Sequence, residues 1–371
     1  MKQVSGILPC YAADTSGVCS ALYELGGMTV VHDASGCNST YATHDEPRWY
    51  DMHAMVYISA LTEQDAILGD DEKFISDVCT AAADQKPAFI ALCGSPMPMM
   101  IGTDFDAAAD EIERRTGIRT LALHTNGTRS YPAGASEAFL RLTDIFVQPA
   151  ERRPHTVNLI GATPLDFELR DTLPDIRRWL TENGFSVGAC MAMGDTLPHI
   201  AETAAAAAVS LVLSFSGLAA AEHLYRTYGI PYVTGVPVGT RFPAVLADAL
   251  RTAVRTGQPQ YPSAAQRGDA KTVVIGESIT AGSMAAELGG RMLCPLDTVP
   301  ALVHPLDSTV FREKEIAAVL RDMQPEIVAA DPLYRYVLPA GTALKEVPHF
   351  AFSGRCFQHE MRSMVCKPVI A

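Results

Sequence analysis

Several features are missing from this chain, and each absence excludes a class of protein. No run of basic residues occurs and the formal net charge is −13, which argues against nucleic acid or an anionic membrane surface as a partner. No stretch of 18 apolar residues occurs, and the longest candidate, residues 203–215, is too short to span a bilayer. The first residues lack the apolar core and cleavage site of a signal peptide, so we expect a cytoplasmic protein.

Phosphate-binding and hydrolytic motifs are also missing. No G-x-x-x-x-G-K-[ST] loop occurs, so we expect no ATP hydrolysis by this chain. The strand–turn segments 157–165 and 273–282 contain too few glycines for a G-x-G-x-x-G dinucleotide fingerprint. Neither H-E-x-x-H nor G-x-S-x-G is present. The chemistry must therefore come from other residues.

The order of apolar and polar segments predicts the fold. At 371 residues the chain is too long for one small core. Strand-like segments alternate with helical ones, and the pattern restarts after proline-containing linkers at 148–155 and 258–270. We predict an α/β protein with three Rossmann-like, doubly wound parallel-sheet domains. Their predicted bounds are 1–150, 151–262 and 263–371.

Three of the nine cysteines stand out by position. Cys10, Cys37 and Cys93 each follow a strand-like run, and reactive groups collect at such strand ends in α/β folds. Sulfur ligands suit iron or zinc, although no CxxC pair marks a site. The alternative is that these are buried thiols, because free cysteine is among the most buried residue types.

Four elements in a fixed order carry a resemblance to a known family. They are Cys10 in GILPCYA, the pair Gly36–Cys37, the acidic segment Thr62 to Lys73, and Cys93 in IALCGSP. Together they resemble the nitrogenase component 1 family, with further similarity at 228–239 and 325–335. That family includes nitrogenase subunits, their cofactor-assembly relatives, dark-operative protochlorophyllide reductases and the reductive cyclase of the nickel-tetrapyrrole pathway. The chain is most similar to the short nitrogenase-like members.

The resemblance implies an iron–sulfur cluster bound by Cys10, Cys37 and Cys93. The cluster implied by the resemblance is either a [4Fe–4S] cluster or a larger one. The larger cluster would bridge two subunits, like the nitrogenase P-cluster. Three thiolates leave one iron of a cube without a ligand. The candidates for that ligand are a partner residue or one of the following: Asp14, Ser39, Ser95 and, more weakly, Cys19.

The chain departs from true nitrogenase at its active-site cofactor. Where the family has a cysteine ligand, this chain has Ser214 and Ser216. Near the place of the family's histidine ligand it offers Cys356 and His359. We therefore expect no reduction of dinitrogen. His44 and His359 are the predicted proton donors.

The function implied is that of a low-potential electron-transfer oxidoreductase. A separate iron-protein-type ATPase reductase would pass electrons to the cluster, and a small molecule or tetrapyrrole would be reduced. A homodimer is favoured, and a heterodimer with a related subunit is open. One alternative is a non-catalytic scaffold for assembly or delivery of a metallocofactor or tetrapyrrole. Another is an α/β fold of the glycosyltransferase or periplasmic-binding type with structural thiols.

Overall fold

The computed structural model describes residues 6–34, 46–265, 267–268 and 271–370. Within these residues the strands form three sheets of four, four and five strands, and every strand pair in them is parallel. Helices connect the strands. The predicted α/β class with three Rossmann-like parallel sheets is confirmed. The domain bounds at 150/151 and 262/263 stay predictions.

The first sheet has the strand order β2-β1-β3-β4. Order reverses between β1 and β3, where Val31 pairs with Cys93. Ligands of open α/β sheets bind at the carboxyl ends of the strands beside such a reversal. Its elements are α1 (Asp14–Leu22), β1 (Met28–His32), β2 (Met55–Ile58), α2 (Glu63–Leu68), α3 (Asp71–Gln85), β3 (Ile90–Gly94), α4 (Pro96–Ile101), α5 (Phe105–Thr116), β4 (Thr120–Leu123) and α6 (Tyr131–Phe146).

The second sheet repeats this plan with the order β6-β5-β7-β8. The central strand β7 is buried along its whole length. Its elements are β5 (Arg153–Ile160), α7 (Thr172–Glu182), β6 (Ser186–Cys190), α8 (Leu197–Thr203), β7 (Ala207–Val212), α9 (Leu218–Tyr228), β8 (Tyr232–Thr234) and α10 (Phe242–Thr256).

The third sheet has the order β11-β10-β9-β12-β13, with its reversal between β9 and β12. A one-turn helix and a 3₁₀ segment, Gly354–Glu360, follow the last strand. Its elements are β9 (Thr272–Ile275), α11 (Ser278–Leu288), β10 (Arg291–Cys294), β11 (Ser308–Thr309), α12 (Glu313–Met323), β12 (Ile327–Ala330), β13 (Ala343–Glu346) and α13 (Phe350–Ser353).

Helices α1 and α6 pack with their backbones in close approach. A Cβ atom added at Gly17 would overlap with the carbonyl oxygen of Tyr131, and one added at Gly134 would overlap with the carbonyl oxygen of Asp14. Only glycine fits at these two positions. The contact fixes the start of α1, which directly follows Cys10, against the start of α6.

A buried carboxylate joins the second and third sheets. Glu277 is the N-cap of α11, and its carboxylate accepts hydrogen bonds from the backbone N–H groups of Ile279 and Thr280 at 2.9 and 3.0 Å. It also accepts one at 2.8 Å from the N–H of Phe215, which lies just after β7. Burial raises the pKa of Glu277, and the charge of Asp166 raises it further. These bonds hold the carboxyl ends of β7 and β9 together.

Two predicted elements differ from the observed ones for local reasons. The segment 230–239 reads as one long strand, but β8 covers only Tyr232–Thr234. Pro231 and Pro237 flank it, and proline lacks the N–H that a sheet ladder needs. The alanine-rich segment 199–208 reads as a helix, but α8 ends at Thr203 and β7 begins at Ala207.

Candidate functional site

A large cavity lies where the carboxyl ends of the second and third sheets meet the segment 46–51. Its volume is about 680 Å³, which is within the usual range for ligand sites. Three stretches of chain line it: 164–170 follows β5 and 350–361 follows β13, as expected for a ligand site in an open α/β fold, and 47–51 precedes β2. The lining residues are Pro47, Tyr50, Asp51, Pro164, Phe167, Glu168, Leu169, Arg170, Phe350, Arg355, Gln358, His359 and Met361.

Arg355 supplies positive charge to this large cavity. Its guanidinium lies 5.4 Å from the centroid of the Tyr50 ring and donates a hydrogen bond of 3.1 Å to the carbonyl oxygen of Glu46. Glu168 on the opposite stretch accepts hydrogen bonds from the N–H groups of Arg170 and Asp171 at 2.6 and 2.8 Å. Aromatic faces beside fixed charges suit a flat, conjugated ligand with polar substituents.

Cys10 contacts α13, the helix whose first residue, Phe350, lines the large cavity. Its thiol donates to the carbonyl oxygen of Ala351 at 3.4 Å, and the N–H groups of Tyr11 and Ala12 donate to the same oxygen at 2.9 Å. Ala351 is the neighbour of Phe350, which lines the cavity. Burial raises the pKa of Cys10 to about 12, although a hydrogen bond with Ala12 lowers it in part. A soft donor therefore lies one residue away from the cavity wall.

Cys93 lies in the first sheet, near the carboxyl end of β3. Its side chain is fully buried, and it pairs in register with Val31 and Leu123. Burial raises the pKa of Cys93 well above its usual value, and the charge of a Cys19 thiolate would raise it further. Cys19, on α1, therefore lies close enough to Cys93 for the charge of its thiolate to affect the pKa of Cys93. The sequence alone favours a packing role for it.

The donor types fit an iron–sulfur cluster, but the described residues do not complete one. Within them, no three His, Cys, Asp or Glu side chains form a group able to hold a metal ion. Cys37 and His44 lie outside the described residues. A three-thiolate site formed by Cys10, Cys37 and Cys93 therefore stays a prediction. Its chemical basis is that three sulfur donors are the ligands that iron–sulfur clusters prefer.

Two candidates for a fourth ligand already have protein partners. The Asp14 carboxylate is fully buried and accepts hydrogen bonds from the N–H groups of Asn126 and Gly127 at 3.0 and 2.8 Å. The Ser95 hydroxyl donates to Asp33 at 2.5 Å. Iron binding at either residue would have to compete with these bonds.

The two serines at the place of the missing nitrogenase ligand are buried. Ser214 donates to the carbonyl oxygen of Gly161 at 2.8 Å, which ties the end of β7 to the end of β5. Ser216 is also buried. Of the two predicted proton donors, only His359 is described. It lines the large cavity, is mostly exposed, and its Nε2 lies 3.5 Å from Glu360.

A buried group at the junction of the three sheets was not found from the sequence. The Tyr131 hydroxyl donates to Asp166 Oδ1, and His349 Nε2 lies 3.4 Å from the same oxygen. Thr163 donates to the other carboxylate oxygen at 3.0 Å. The partners are far apart in sequence, so no local pattern signals them. Only the position of His349 just after β13 could have drawn attention to it.

The fold and the cavity together define a class: an α/β protein with three Rossmann-like parallel sheets and a cavity at the carboxyl ends of two of them. The family model for nitrogenase component 1 type oxidoreductases matches residues 16–282. The chain therefore belongs to this family, and the resemblance seen in its sequence is confirmed. The family is known for metal–sulfur clusters and works with a reductase component.

Curated relatives cover part of the chain. The B protein of the light-independent protochlorophyllide reductase from Jannaschia sp. is 30% identical over 175 residues, which are 46% of this chain and 34% of that protein. The nitrogenase iron-molybdenum cofactor biosynthesis protein NifE from Bradyrhizobium diazoefficiens is 24% identical over 189 residues, 50% of this chain and 34% of that protein. The matched region spans about a third of the length of these relatives.

Solved structures extend the similarity to the whole fold. The chain superposes on a structure titled nitrogenase Cp1 at pH 6.5 with a TM-score of 0.68 and 14% identity, covering 100% of this chain and 91% of that one. Nitrogenase Cp1 at pH 5 gives a TM-score of 0.66 with 17% identity, covering 97% and 89%. At this identity the similarity establishes the fold alone. No helix in the described part of the chain is long and apolar enough to cross a membrane.

Proposed function

We propose that this chain is a nitrogenase-like iron–sulfur oxidoreductase that reduces a molecule bound in the large cavity. It receives low-potential electrons from a separate ATP-dependent reductase of the iron-protein type. The observation that carries the proposal is the position of Cys10, whose thiol contacts Ala351 beside the cavity wall. A redox group held there would lie next to a bound substrate.

The proposed ligands of the cluster are Cys10, Cys37 and Cys93. When bound, the cluster supplies single low-potential electrons. The remaining work is done by residues of the chain itself. The start of α1 holds Cys10 in place through the backbone contact of Gly134 with Asp14. Within α13, Ala351 accepts the hydrogen bond of the Cys10 thiol and its neighbour Phe350 lines the cavity, so this helix connects Cys10 with the cavity wall.

The substrate class proposed is a conjugated, unsaturated molecule with acidic substituents, such as a tetrapyrrole. A cavity of about 680 Å³ can take up a ligand of that size class. The rings of Tyr50 and Phe167 offer flat apolar faces, and Arg170 and Arg355 supply positive charge. The protochlorophyllide reductase relatives support the same class. Reduction of dinitrogen is not proposed, because Ser214 and Ser216 replace the cysteine ligand.

Proton delivery is proposed for His359 and His44, as the sequence indicates. His359 lies on the cavity wall with an exposed ring, so it can exchange protons with solvent and pass them to a ligand. The proposed assembly is a homodimer, with a heterodimer of related subunits as its alternative. The proposed compartment is the cytoplasm.

The first test measures iron and acid-labile sulfide in anaerobically purified protein, together with its EPR spectrum. We expect about four irons per chain or per dimer. Single Cys→Ala changes at Cys10, Cys37 and Cys93 should each abolish the signal. Cys79→Ala, on the partly exposed face of α3, is the matched control and should keep it. Protein that stays free of iron after anaerobic reconstitution would refute the redox proposal.

A scaffold role is the second candidate, favoured by the similarity to the cofactor biosynthesis protein NifE. In this case the cavity would bind a metallocofactor or tetrapyrrole for transfer. Titration of the loaded protein with an iron-protein-type reductase and ATP separates the two functions. Cluster oxidation coupled to ligand turnover supports the enzyme. Ligand release with no change of redox state supports the scaffold.

A further inference from the structure

Beside the large cavity lies a small one of about 50 Å³, built around His349. Phe167, Glu168 and Met361 line both cavities, so the two are adjacent. Polar side chains form part of its wall, and it has more room than one water molecule requires. Residues of the second sheet, of α11 and of the C-terminal segment surround it.

His349 is nearly enclosed, with about 11% of its side chain exposed. Both ring nitrogens are buried, and neither makes a hydrogen bond within the part of the chain that the structure describes; Nε2 has the Asp166 carboxylate 3.4 Å away, whereas Nδ1 has no such neighbour. A buried ring nitrogen without a hydrogen-bond partner costs free energy, so Nδ1 is available to a ligand, a water molecule or a proton-transfer step. The ring is held in place by Phe352, with centroids 4.6 Å apart. The backbone N–H of His349 donates to Asp331 at 2.9 Å.

Asp166 places a carboxylate beside one nitrogen of the ring. Its Oδ1 atom lies 3.4 Å from His349 Nε2 and accepts a hydrogen bond from the Tyr131 hydroxyl. Thr163 holds Oδ2 at 3.0 Å. A carboxylate so anchored at one ring nitrogen orients a histidine and leaves the other nitrogen for a reaction. Burial raises the pKa of Tyr131 well above its usual value, so the phenol keeps its proton and acts as a donor to Asp166.

We propose that His349, oriented by Asp166 and Tyr131, is a buried proton donor to the substrate in the large cavity. This inference rests on the proposed reductive function. Reduction of one double bond takes up two electrons and two protons. The electrons come from the iron-protein-type reductase. The Nδ1–H bond of the His349 imidazolium breaks and its proton forms one new C–H bond, directly or through water in the small cavity. His359 supplies the second proton from the exposed side.

His349 is the catalytic residue in this scheme, and Asp166 and Tyr131 are positioning residues. After donation the ring is a neutral imidazole with its remaining proton on Nε2, facing Asp166. Solvent protons restore the imidazolium through the small cavity. The charged and titratable groups that face this site are Asp166, Tyr131, Glu168, Glu277, Asp331 and Arg362.

The test compares His349→Gln and Tyr131→Phe with wild type and with the control His199→Gln, which changes an exposed histidine on α8. Iron content, ligand affinity and single-turnover oxidation of the cluster are measured beside product formation. We expect His349→Gln to keep iron and affinity and to lose product formation by about 10²–10⁴-fold. Tyr131→Phe should reduce product formation by a smaller factor and should alter the pH dependence of product formation. Product formation by His349→Gln within threefold of wild type would overturn the proposal.

A second readout does not depend on turnover. In protein labelled with ¹⁵N-histidine, the His349 signals are assigned by their loss in His349→Gln. The neutral ring should carry its proton on Nε2, and exchange of that proton with solvent should become about tenfold faster in Asp166→Asn, because an amide is a weaker acceptor. A neutral His349 ring with its proton on Nδ1 would contradict the proposed orientation of His349 by Asp166. An unchanged rate of proton exchange with solvent in Asp166→Asn would also contradict it. Wild-type protein without iron would refute the reductive function instead, and this NMR result would still decide the Asp166–His349 link.

Discussion

The guanidinium of Arg48 and the carboxylate of Glu24 form a salt bridge of 2.8 Å inside the protein. Arg48 also pairs with Glu46 at 2.7 Å and donates to the carbonyl oxygen of Ser20 at 2.7 Å. Burial alone would lower the pKa of Arg48, but the charges of Glu46 and Glu24 raise it above its usual value. Through these contacts with Glu24 and Ser20, Arg48 holds the segment after residue 45 against α1, the helix that follows Cys10.

Replacing this arginine should destabilise the fold. In Arg48→Met two carboxylates lose their cation, and Glu46 has only 2% of its side chain exposed. We expect the free energy of unfolding to fall by about 3–5 kcal/mol, measured by urea denaturation. The control Arg114→Met removes a cation that is 71% exposed and pairs with Glu111, and should cost at most about 1 kcal/mol. Equal losses in the two variants would contradict the burial argument.

The glycine contact between α1 and α6 predicts a second stability effect. In Gly134→Ala the new methyl group would overlap with the carbonyl oxygen of Asp14, so the helices must separate. A cost of about 1–3 kcal/mol or more is expected from such overpacking, again by urea denaturation. Ser136→Ala on the same helix is half-buried and should change stability by no more than about 0.5 kcal/mol. Faster amide exchange confined to α1 and α6 would locate the effect.

His32 should make the protein sensitive to acid. Its Nδ1 lies 2.7 Å from the Ser59 hydroxyl and its ring packs on Phe74. Burial lowers the pKa of His32 to about 4, whereas an unfolded histidine titrates near 6.5. Between these values the unfolded chain binds a proton that the folded chain does not. Stability contributed by the neutral ring is therefore present above about pH 6.5 and is lost as the pH falls, with a slope approaching about 1.4 kcal/mol per pH unit.

The measurement is the urea unfolding free energy of wild type and His32→Gln from pH 7 to pH 4. The free energy of unfolding of wild type should exceed that of His32→Gln by less as the pH falls. Ser59→Ala keeps the buried ring, so it should retain the wild-type slope. A difference between wild type and His32→Gln that stays constant with pH would show that folding does not change the pKa of His32, which would contradict this prediction.

His124 should have the opposite pH dependence. Its Nε2 lies 2.9 Å from Asp106 and its Nδ1 lies 2.9 Å from Glu137. Hydrogen bonds to Asp106 first and Glu137 second raise the pKa of His124. The stability it contributes is full below about pH 6.5 and is lost as the pH rises through the folded pKa. The effect is small because more than half of the side chain is exposed and solvent screens the charges.

Thermal unfolding of wild type and His124→Gln at pH 5.5 and 8.5 checks this sign. The unfolding temperature of wild type should exceed that of His124→Gln by more at pH 5.5 than at pH 8.5. Added salt should reduce this difference in unfolding temperature. In an Asp106→Asn background the gap at pH 5.5 should also narrow. A larger gap at pH 8.5 would mean that the neutral ring is the stabilising form.

The alternation of strands and helices could be predicted from sequence because each buried strand is a short apolar run. The short strands of the third sheet were harder to predict. β11 has two residues and β13 is only partly buried, so neither has a clear apolar pattern. The prediction of a helix over the alanine-rich segment 199–208 is wrong for another reason. Alanine favours helices, but Ala207 begins a fully buried central strand, where sheet pairing overrides local propensity.

The candidate site could be predicted only in part. Cys10 and His359 are signalled by their places in the family pattern. The structure places His359 on the wall of the large cavity and Cys10 in contact with Ala351, the neighbour of a wall residue. His349 carries no such signal, because its role depends on Asp166, which lies almost half the chain away and becomes a neighbour only after folding. The same holds for Arg48, whose partner Glu24 lies in the turn after α1.

The contact between Cys10 and Ala351 also has a consequence for biosynthesis. Ribosomes make residue 10 early and residue 351 late, so the surroundings of the Cys10 thiol are complete only when almost all of this sequence has been translated. A cluster that needs the enclosed form of this site must be acquired after translation or be held by an open, partly folded chain. If Cys10 is a cluster ligand as proposed, delivery of iron and sulfide to it would thus be tied to the last stage of folding.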